Sequence, residues 1–421
     1  MRFRRTGLWN NPDFLNLWAG QTVSIFGTLI GLLALRFTAV LWLDAGAIEL
    51  ALLTLCETVP PFLIGPFAGV WVDRVARRPL LIGADIGRAI ALITVPIAAL
   101  FDILTVEQLY AVLIATSTLT LLFTIGYEAY LPSVVGPKNL VEGNARLSAS
   151  TSVAEIGSFG VAGWLVQLLT APGAVVLDAL SFIWSAVFLA RINTTETRAA
   201  AEPHAQPPNI RRELSEGFRA VAGNSILRAL LVANMFTEAG VKMISVLFLL
   251  YLVDDAGFSA GLLGMIFAVG GITSLAGAWV AGRPDIYRRL GPAMVITAFA
   301  RAAGTVFTPL ATGPTALGVS SLAANQLITD PSWTFYEIHE VSLRQSISAE
   351  ALRGRVAATM RFTGFAAAIV GTGIAALAGE TIGARGGLFL AAGLMAISGV
   401  VILFSPVVKL QREPIVVDVS P

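Results

Sequence analysis

The stretch Gly69-Val-Trp-Val-Asp73-Arg74-Val-Ala-Arg77-Arg78 decides how this chain is read. It gathers one acid and three arginines between two apolar runs, each long enough to cross a bilayer, for which about 20 residues suffice. A basic loop between spans stays in the cytoplasm. Gly69 allows close backbone approach, and Asp73 offers a carboxylate to a neighbouring helix N-terminus or to an arginine. The loop is therefore both a topology signal and a candidate contact point.

Outward from that loop, lipid is the dominant solvent. Of the 421 residues, 56% are hydrophobic and 13% charged, whereas a soluble domain carries roughly 25% charged residues. A net charge of +1 provides no electrostatic footprint for nucleic acid. The single cysteine, Cys56, excludes an internal disulfide, and His204 and His339 add too little for a Cys/His metal cluster. Arg2, Arg4 and Arg5 precede a long apolar segment without a small-residue cleavage site, so no cleaved leader is expected. Gly-x-x-x-x-Gly-Lys-Ser/Thr, His-Glu-x-x-His and Gly-x-Ser-x-Gly are absent. An enzyme is not expected, nor a cofactor beyond a proton gradient as energy source.

Apolar length predicts twelve spans, centred near Thr28, Val59, Ile90, Thr118, Phe159 and Ile183, then near Ala239, Val269, Ala302, Asn325, Ala368 and Met395. Arg36, Lys242, Arg301 and Arg361 lie within spans. Of the other basic residues, all but Arg385 fall at the termini or in even-numbered loops, which places both termini in the cytoplasm. The opposite loops carry Asp44, Glu49, Asp102, Glu107, Asp254 and Asp255.

The two halves repeat. An offset of 212 carries Leu131 and residues 136–150 onto Leu343 and residues 348–362, and also carries Asp73 onto Asp285. An offset of 213 carries Arg88 onto Arg301. This predicts an all-α membrane protein of two pseudo-symmetric six-helix bundles, 1–192 and 225–408. Between them lies a cytoplasmic linker, 193–224, and after them a cytoplasmic tail, 409–421. Thr194 to Pro208 reads as flexible. Asn209 is placed to cap an amphipathic helix with Ile210, Leu214, Phe218 and Val221 on one face, expected to lie on the inner leaflet. The sequon Asn193-Thr-Thr195 falls on the cytoplasmic side and is discounted.

The opening stretch resembles the signature loop between the second and third helices of the major facilitator superfamily, although Ala76 stands where a second glycine is usual. Other pieces resemble its bacterial drug, macrolide and enterobactin-type exporter branch: Asn11-Pro-Asp-Phe14 with Leu17-Trp18, Asp85-Ile-Gly-Arg88, Leu131-Pro132, Asn144-Ala145, Leu177-Asp178-Ala-Leu-Ser-Phe182 and Arg353-Gly-Arg355-Val356. The resemblance implies the major facilitator fold, alternating access and a bacterial plasma-membrane location. It also implies a conformational latch of Gly69, Asp73, Arg74, Arg77, Arg78, Asp285, Arg353 and Arg355. One departure stands out. Antiporters of the superfamily often carry Gly-Pro in the fifth helix, and here Gly157-Ser158 predicts an unkinked helix.

Ionisable residues at membrane depth are costly and therefore functional candidates. Glu57, beside Cys56 among Leu53, Leu55 and Val59, is a candidate proton carrier or an acid hydrogen-bonded within its own half. Glu155 precedes the small-residue run Gly157, Gly160 and Gly163, which favours close helix approach. Glu238 and Lys242 share a face of the seventh span at a spacing that favours an ion pair. Glu57, Glu155 and Glu238 form the proton-coupling set. The substrate-cavity set is Gln21, Ser24, Thr28, Arg36, Lys242, Asp330 and Arg361. Asp85 and Arg88 read as structural, and Asp178 as a capping or hydrated residue at the start of the sixth span near the outer surface.

The reading is a monomeric exporter of a small amphipathic compound (drug, antibiotic or siderophore-like), run by proton antiport. The expected partners are substrate, protons and lipid, and not nucleic acid. An importer or uniporter on the same fold, or a non-transporting sensor or scaffold, is the alternative.

Overall fold

The computed structural model describes residues 7–72, 74–194, 210–283 and 289–411. The helices are α1 (Pro12–Leu43), α2 (Ala47–Val72), α3 (Arg77–Leu100), α4 (Val106–Val135), α5 (Leu140–Leu169), α6 (Ala171–Ala190), α7 (Ile210–Gly223), α8 (Ser225–Leu249), α9 (Ala260–Ala281), α10 (Leu290–Leu310), α11 (Ala316–Ile347) and α12 (Arg353–Leu403). Among the described residues, nine helices pass as spans on length and hydropathy alone. The twelve-span architecture follows once three helices are read physically. The 51-residue α12 is two spans joined at Gly383, whose φ of 74° interrupts the helix. The bent α5 is one span in two pieces. The twelfth is α11, diluted by Asn325, Asp330, Glu337 and Glu340.

Two compact units result, each described on its own. The first comprises Met1–Ala45, Leu55–Ala205 and Ser259–Ala268. The second comprises Gly46–Thr54, Gln206–Phe258 and Val269–Pro421. Both begin with the same device. Asn11 Oδ1 accepts from the amides of Asp13 and Phe14 at 3.0 and 3.2 Å, and Asn224 Oδ1 accepts from Ile226 and Leu227 at 2.9 and 3.2 Å. An asparagine N-cap satisfies amides that the first helical turn leaves open. Asn11 and Asn224 are related by the same 213 residues that relate Arg88 and Arg301.

Helix α5 differs from the sequence expectation, bending by 52° between Leu140–Glu155 and Gly160–Leu169. The bend falls on Gly157-Ser158, and Gly/Ser pairs are among the features that kink helices without proline. Gly160 and Gly163 do allow close approach. Within the first unit, a methyl group on Gly264 would lie 2.9 Å from the Gly160 carbonyl oxygen.

Helix α7 is amphipathic as predicted, and its apolar face divides: Val221 is covered by protein and Phe218 stays exposed, while the side chains of Ile210 and Leu214 lie outside the described residues. Val221 is buried with Leu227, Leu230, Val356 and Met360 in the core of the second unit. Gly217 lies against the Arg355 backbone and Thr359, where a larger residue has no room, and Glu216 pairs with Arg355 at 2.5 Å. The capping expectation for Asn209 and the flexible stretch 195–208 lie outside the described residues.

Candidate functional site

In the first unit, Arg36 Nη2 on α1 donates to Glu57 Oε2 on α2 at 3.0 Å. Both side chains keep about a fifth of their surface open (22% and 19%). The pair is thus shielded enough to be strong and exposed enough to be reached. It unites a predicted proton carrier with a predicted cavity residue.

A second charged group lies deeper. Asp85 and Arg88, one turn apart on α3, form a buried ion pair. The Arg88 guanidinium sits 4.5 Å from the Phe123 ring centroid on α4 and 4.0 Å from that of Phe182 on α6. Aromatic faces favour a desolvated cation. Thr120 Oγ1 accepts from Arg88 Nη1 at 3.3 Å. Asp178 on α6 belongs to the same group. It is 4% exposed, rather than hydrated at an outer surface. Gly27 and Gly31 of α1 pack directly on Ser181 and Asp178, and their missing side chains are what let α1 come so close. Gln21 and Ser24 are buried on α1, and the Thr28 hydroxyl reaches Asp178. In this structure the polar stripe packs into protein.

The second unit builds a related cage. Arg301, 3% exposed like Arg88, sits 5.0 Å from the Trp333 ring and 4.0 Å from the Tyr336 ring. The 213-residue offset carries Thr120 onto Trp333 and Phe123 onto Tyr336, so α11 walls Arg301 from the positions α4 uses for Arg88. Glu238 on α8 lies in the field of Lys242, Glu337 and Arg301, and Gly364 of α12 admits it closely, its β-position 3.5 Å from Glu238 Cγ. Asp330 faces Gly270 of α9 alongside Gln326, with no room there for a side chain on residue 270. Glu155 and Arg361 are exposed on α5 and α12. Among the described residues no cluster of acids, histidines and cysteine could hold a metal ion.

The comparisons with known proteins agree with this architecture. The family model of the Major Facilitator Superfamily matches residues 15–336. This chain belongs to the major facilitator superfamily. Macrolide efflux protein A of Streptococcus pyogenes is 27% identical over 224 residues, covering 52% of this chain and 54% of that protein. The chain thus spans about half the length of that relative. Among solved structures, the nucleoside transporter NupG (D323A mutant) superposes with a TM-score of 0.72 at 14% identity, over 94% of this chain and 99% of that one. A bacterial homologue of the iron transporter ferroportin in its inward-facing state gives 0.69 at 17%, over 95% and 98%. At such identities the two structures speak for the fold alone.

In this facilitator the signature-loop arginines serve helix ends. Arg78 Nε donates to the Leu189 carbonyl at 3.1 Å and its Nη2 to that of Ala190, neutralising the C-terminal end of α6. Arg77 Nη1 donates to the Ala129 carbonyl at 3.1 Å. Gly69 closes no contact of its own, having open space where a side chain would be. Arg74 is exposed. Asp73 and Asp285 lie outside the described residues. Arg355 is held by Glu216, and Arg353 donates to the Gln345 carbonyl at 3.1 Å. With Arg344, Gln345 and Ser348, Arg353 lines a cavity of about 390 Å³ where α11 meets α12. Arg146, at the start of α5, pairs with Glu142 and lies 4.3 Å from the Trp9 ring.

Sequence reasoning missed the aromatic walls of both cages, as well as Asp178, Glu216 and Glu337. A signal was present for Tyr336. The offset that relates the two arginines also relates Phe123 to Tyr336.

Proposed function

We propose that this facilitator exports a small amphipathic compound in exchange for protons, by alternating access, with both termini in the cytoplasm. The observation that carries the reading is the Arg36–Glu57 pair. It joins two helices at membrane depth through one bond that a proton on Glu57 would weaken, and it stays partly open to an arriving molecule. Intramembrane ion pairs of this kind mark proton and substrate paths. Support for the substrate class comes from the relative named a macrolide efflux protein. The reading places the basic loops inside, and the compound class is a drug, an antibiotic or a siderophore-like molecule.

The test is efflux of a dye and antibiotic panel from cells expressing the chain, with and without an uncoupler. Export of at least one compound that stops when the proton gradient is collapsed is expected. Export unaffected by the uncoupler overturns proton coupling. Accumulation in place of export overturns the direction.

A further inference from the structure

We propose that Asp85, Arg88 and Asp178 form a buried proton-binding site in which Asp178 carries the proton in this conformation and releases it during the transport cycle. The transport arm of this proposal rests on the proton-exchange reading above; the occupancy arm does not.

Charge balance comes first. Asp85, Arg88 and Asp178 are 0%, 3% and 4% exposed. Two carboxylates share one guanidinium, so full ionisation leaves an excess negative charge in a site sealed from water. Such a charge is strongly disfavoured without a partner, and two acids sharing one site do not both ionise freely. One proton restores neutrality.

Among the described residues, the partners the structure records for these three side chains include no other counter-charge. From α3 come only Asp85 and Arg88. From α4 come Thr120 and Phe123, the latter stacked on Tyr127 at 6.1 Å. From α6 come Asp178, Ser181, Phe182 and Ser185. From α1 come Gly27, Thr28 and Gly31. Arg36, further along α1, is engaged with Glu57.

Geometry then assigns the proton. Asp85 Oδ1 is bonded directly to Arg88, which favours its charged form. Asp178 meets neutral hydroxyl groups instead: Ser181 Oγ gives its one hydrogen to the Asp178 backbone carbonyl at 2.8 Å, which leaves the hydroxyl oxygen, 3.4 Å from Oδ1, free to accept from a protonated carboxyl. A second, independent observation marks the site as incomplete. Arg88 Nε is buried without a hydrogen-bond partner, and Asp85 Oδ2 has nothing nearer than the Ser185 hydroxyl, with which it closes no full hydrogen bond. A cluster that only stapled helices together would satisfy these atoms, whereas one that rearranges with a proton keeps spare capacity.

The location gives the proton leverage. Asp178 packs on the Gly27–Gly31 face of α1, so losing the proton leaves an uncompensated charge in the α1–α6 contact. That conformation is then disfavoured relative to one that hydrates or pairs Asp178. Protonation and the α1–α6 packing are linked through one differential free energy.

The test uses the full-length protein in liposomes. Infrared spectroscopy at neutral pH, in H₂O and ²H₂O, should show a protonated-carboxyl C=O band. That band should disappear in Asp178→Asn and equally in Asp85→Asn, because in either variant one remaining carboxylate balances Arg88 and ionises. The two variants back each other up should one fail to fold. A wild type without such a band, or a band that survives in both variants, overturns the proposal.

The transport arm compares pH-gradient-driven efflux. Asp178→Asn should lose dependence on the gradient while still binding a compound the wild type exports. If the band is lost but coupling persists, the proton is a permanent occupant and its cycling role is refuted. If the wild type itself shows no gradient-dependent efflux, the exchange reading above fails and the infrared result still decides occupancy.

Discussion

Replacing Glu57 with glutamine isolates the charge of the Arg36–Glu57 pair from its shape. At 3.0 Å and an effective dielectric near 20, the gross attraction is about 5 kcal/mol. Desolvation and side-chain ordering consume most of it. A hydrogen bond to a charged group contributes about 1.5–3 kcal/mol net, and a neutral one about 1 kcal/mol. The substituted amide retains a bond to Arg36 but not the charge, so Glu57→Gln should forfeit roughly 0.5–2 kcal/mol, a factor of about 2–30 in any equilibrium the pair controls.

Both side chains are partly open, which favours the lower end of that range. The amide also cannot titrate. In proteoliposomes the variant should therefore bind substrate nearly as well as the wild type but respond little to an imposed pH gradient. Arg36→Gln should impair the same step by a similar factor, and the double variant should cost less than the two single effects combined, because the two residues act as a pair. Normal pH-dependent efflux from Glu57→Gln would refute the role assigned to this pair.

In Gly31→Ala the added methyl would lie 2.6 Å from Asp178 Cβ, so α1 and α6 must part, costing about 1–3 kcal/mol. Gly83→Ala meets open space and should gain about 0.5–1 kcal/mol; thermal unfolding in detergent that ranks these two the other way contradicts the packing described. Glu216→Gln removes the charged partner of Arg355 and should raise the labelling rate of a cysteine placed on α7 several-fold, while an unchanged rate shows that Val221 and Gly217 alone hold the helix. In a Cys56→Ser background, cysteines at the exposed Asp44 and at Ala205 should react with an impermeant thiol reagent from opposite sides of the membrane, and labelling of both from outside reverses the orientation proposed.

Hydropathy carries most of the architecture because bilayer thickness imposes one length on every span. Where it falls short, the reason is local. Helix α11 carries Asn325, Asp330, Glu337 and Glu340, which bring it to the margin of what hydropathy recognises. The bend in α5 is hidden from a search for Gly-Pro, because Gly157-Ser158 loosens a helix as well. The face of α7 is visible in sequence, but an apolar stripe does not state whether lipid or protein will cover it. Arg36 and Glu57 are 21 residues apart on different helices, and their pairing depends on helix rotation, which charge counting does not supply. Glu238 is legible through its spacing from Lys242. Its relation to Arg301 and Glu337 requires three helices in space.

The two arginine cages show where the repeat was kept and where it diverged. The 213-residue offset preserves Arg88 as Arg301 and relates Phe123 to Tyr336. Leu81 and Met294, likewise related, are both fully buried. Around this frame the acids differ between the halves. Asp85 corresponds to Ala298 and Asp178 to Ala391, so Arg301 has no carboxylate from the positions that neutralise Arg88. Its charge is met instead by the more distant fields of Glu337 and Glu238. A buried guanidinium between aromatic faces is therefore the shared element, and its counter-ions are what each unit specialised. The first unit holds two acids around its arginine, one more than charge balance needs. The second holds acids that approach from α8 and α11, and Glu238 among them also meets Lys242. Had the clusters served only to anchor helices, one arrangement would have sufficed for both units. The divergence of the acids around a retained cation is the pattern expected if the two halves bind different things.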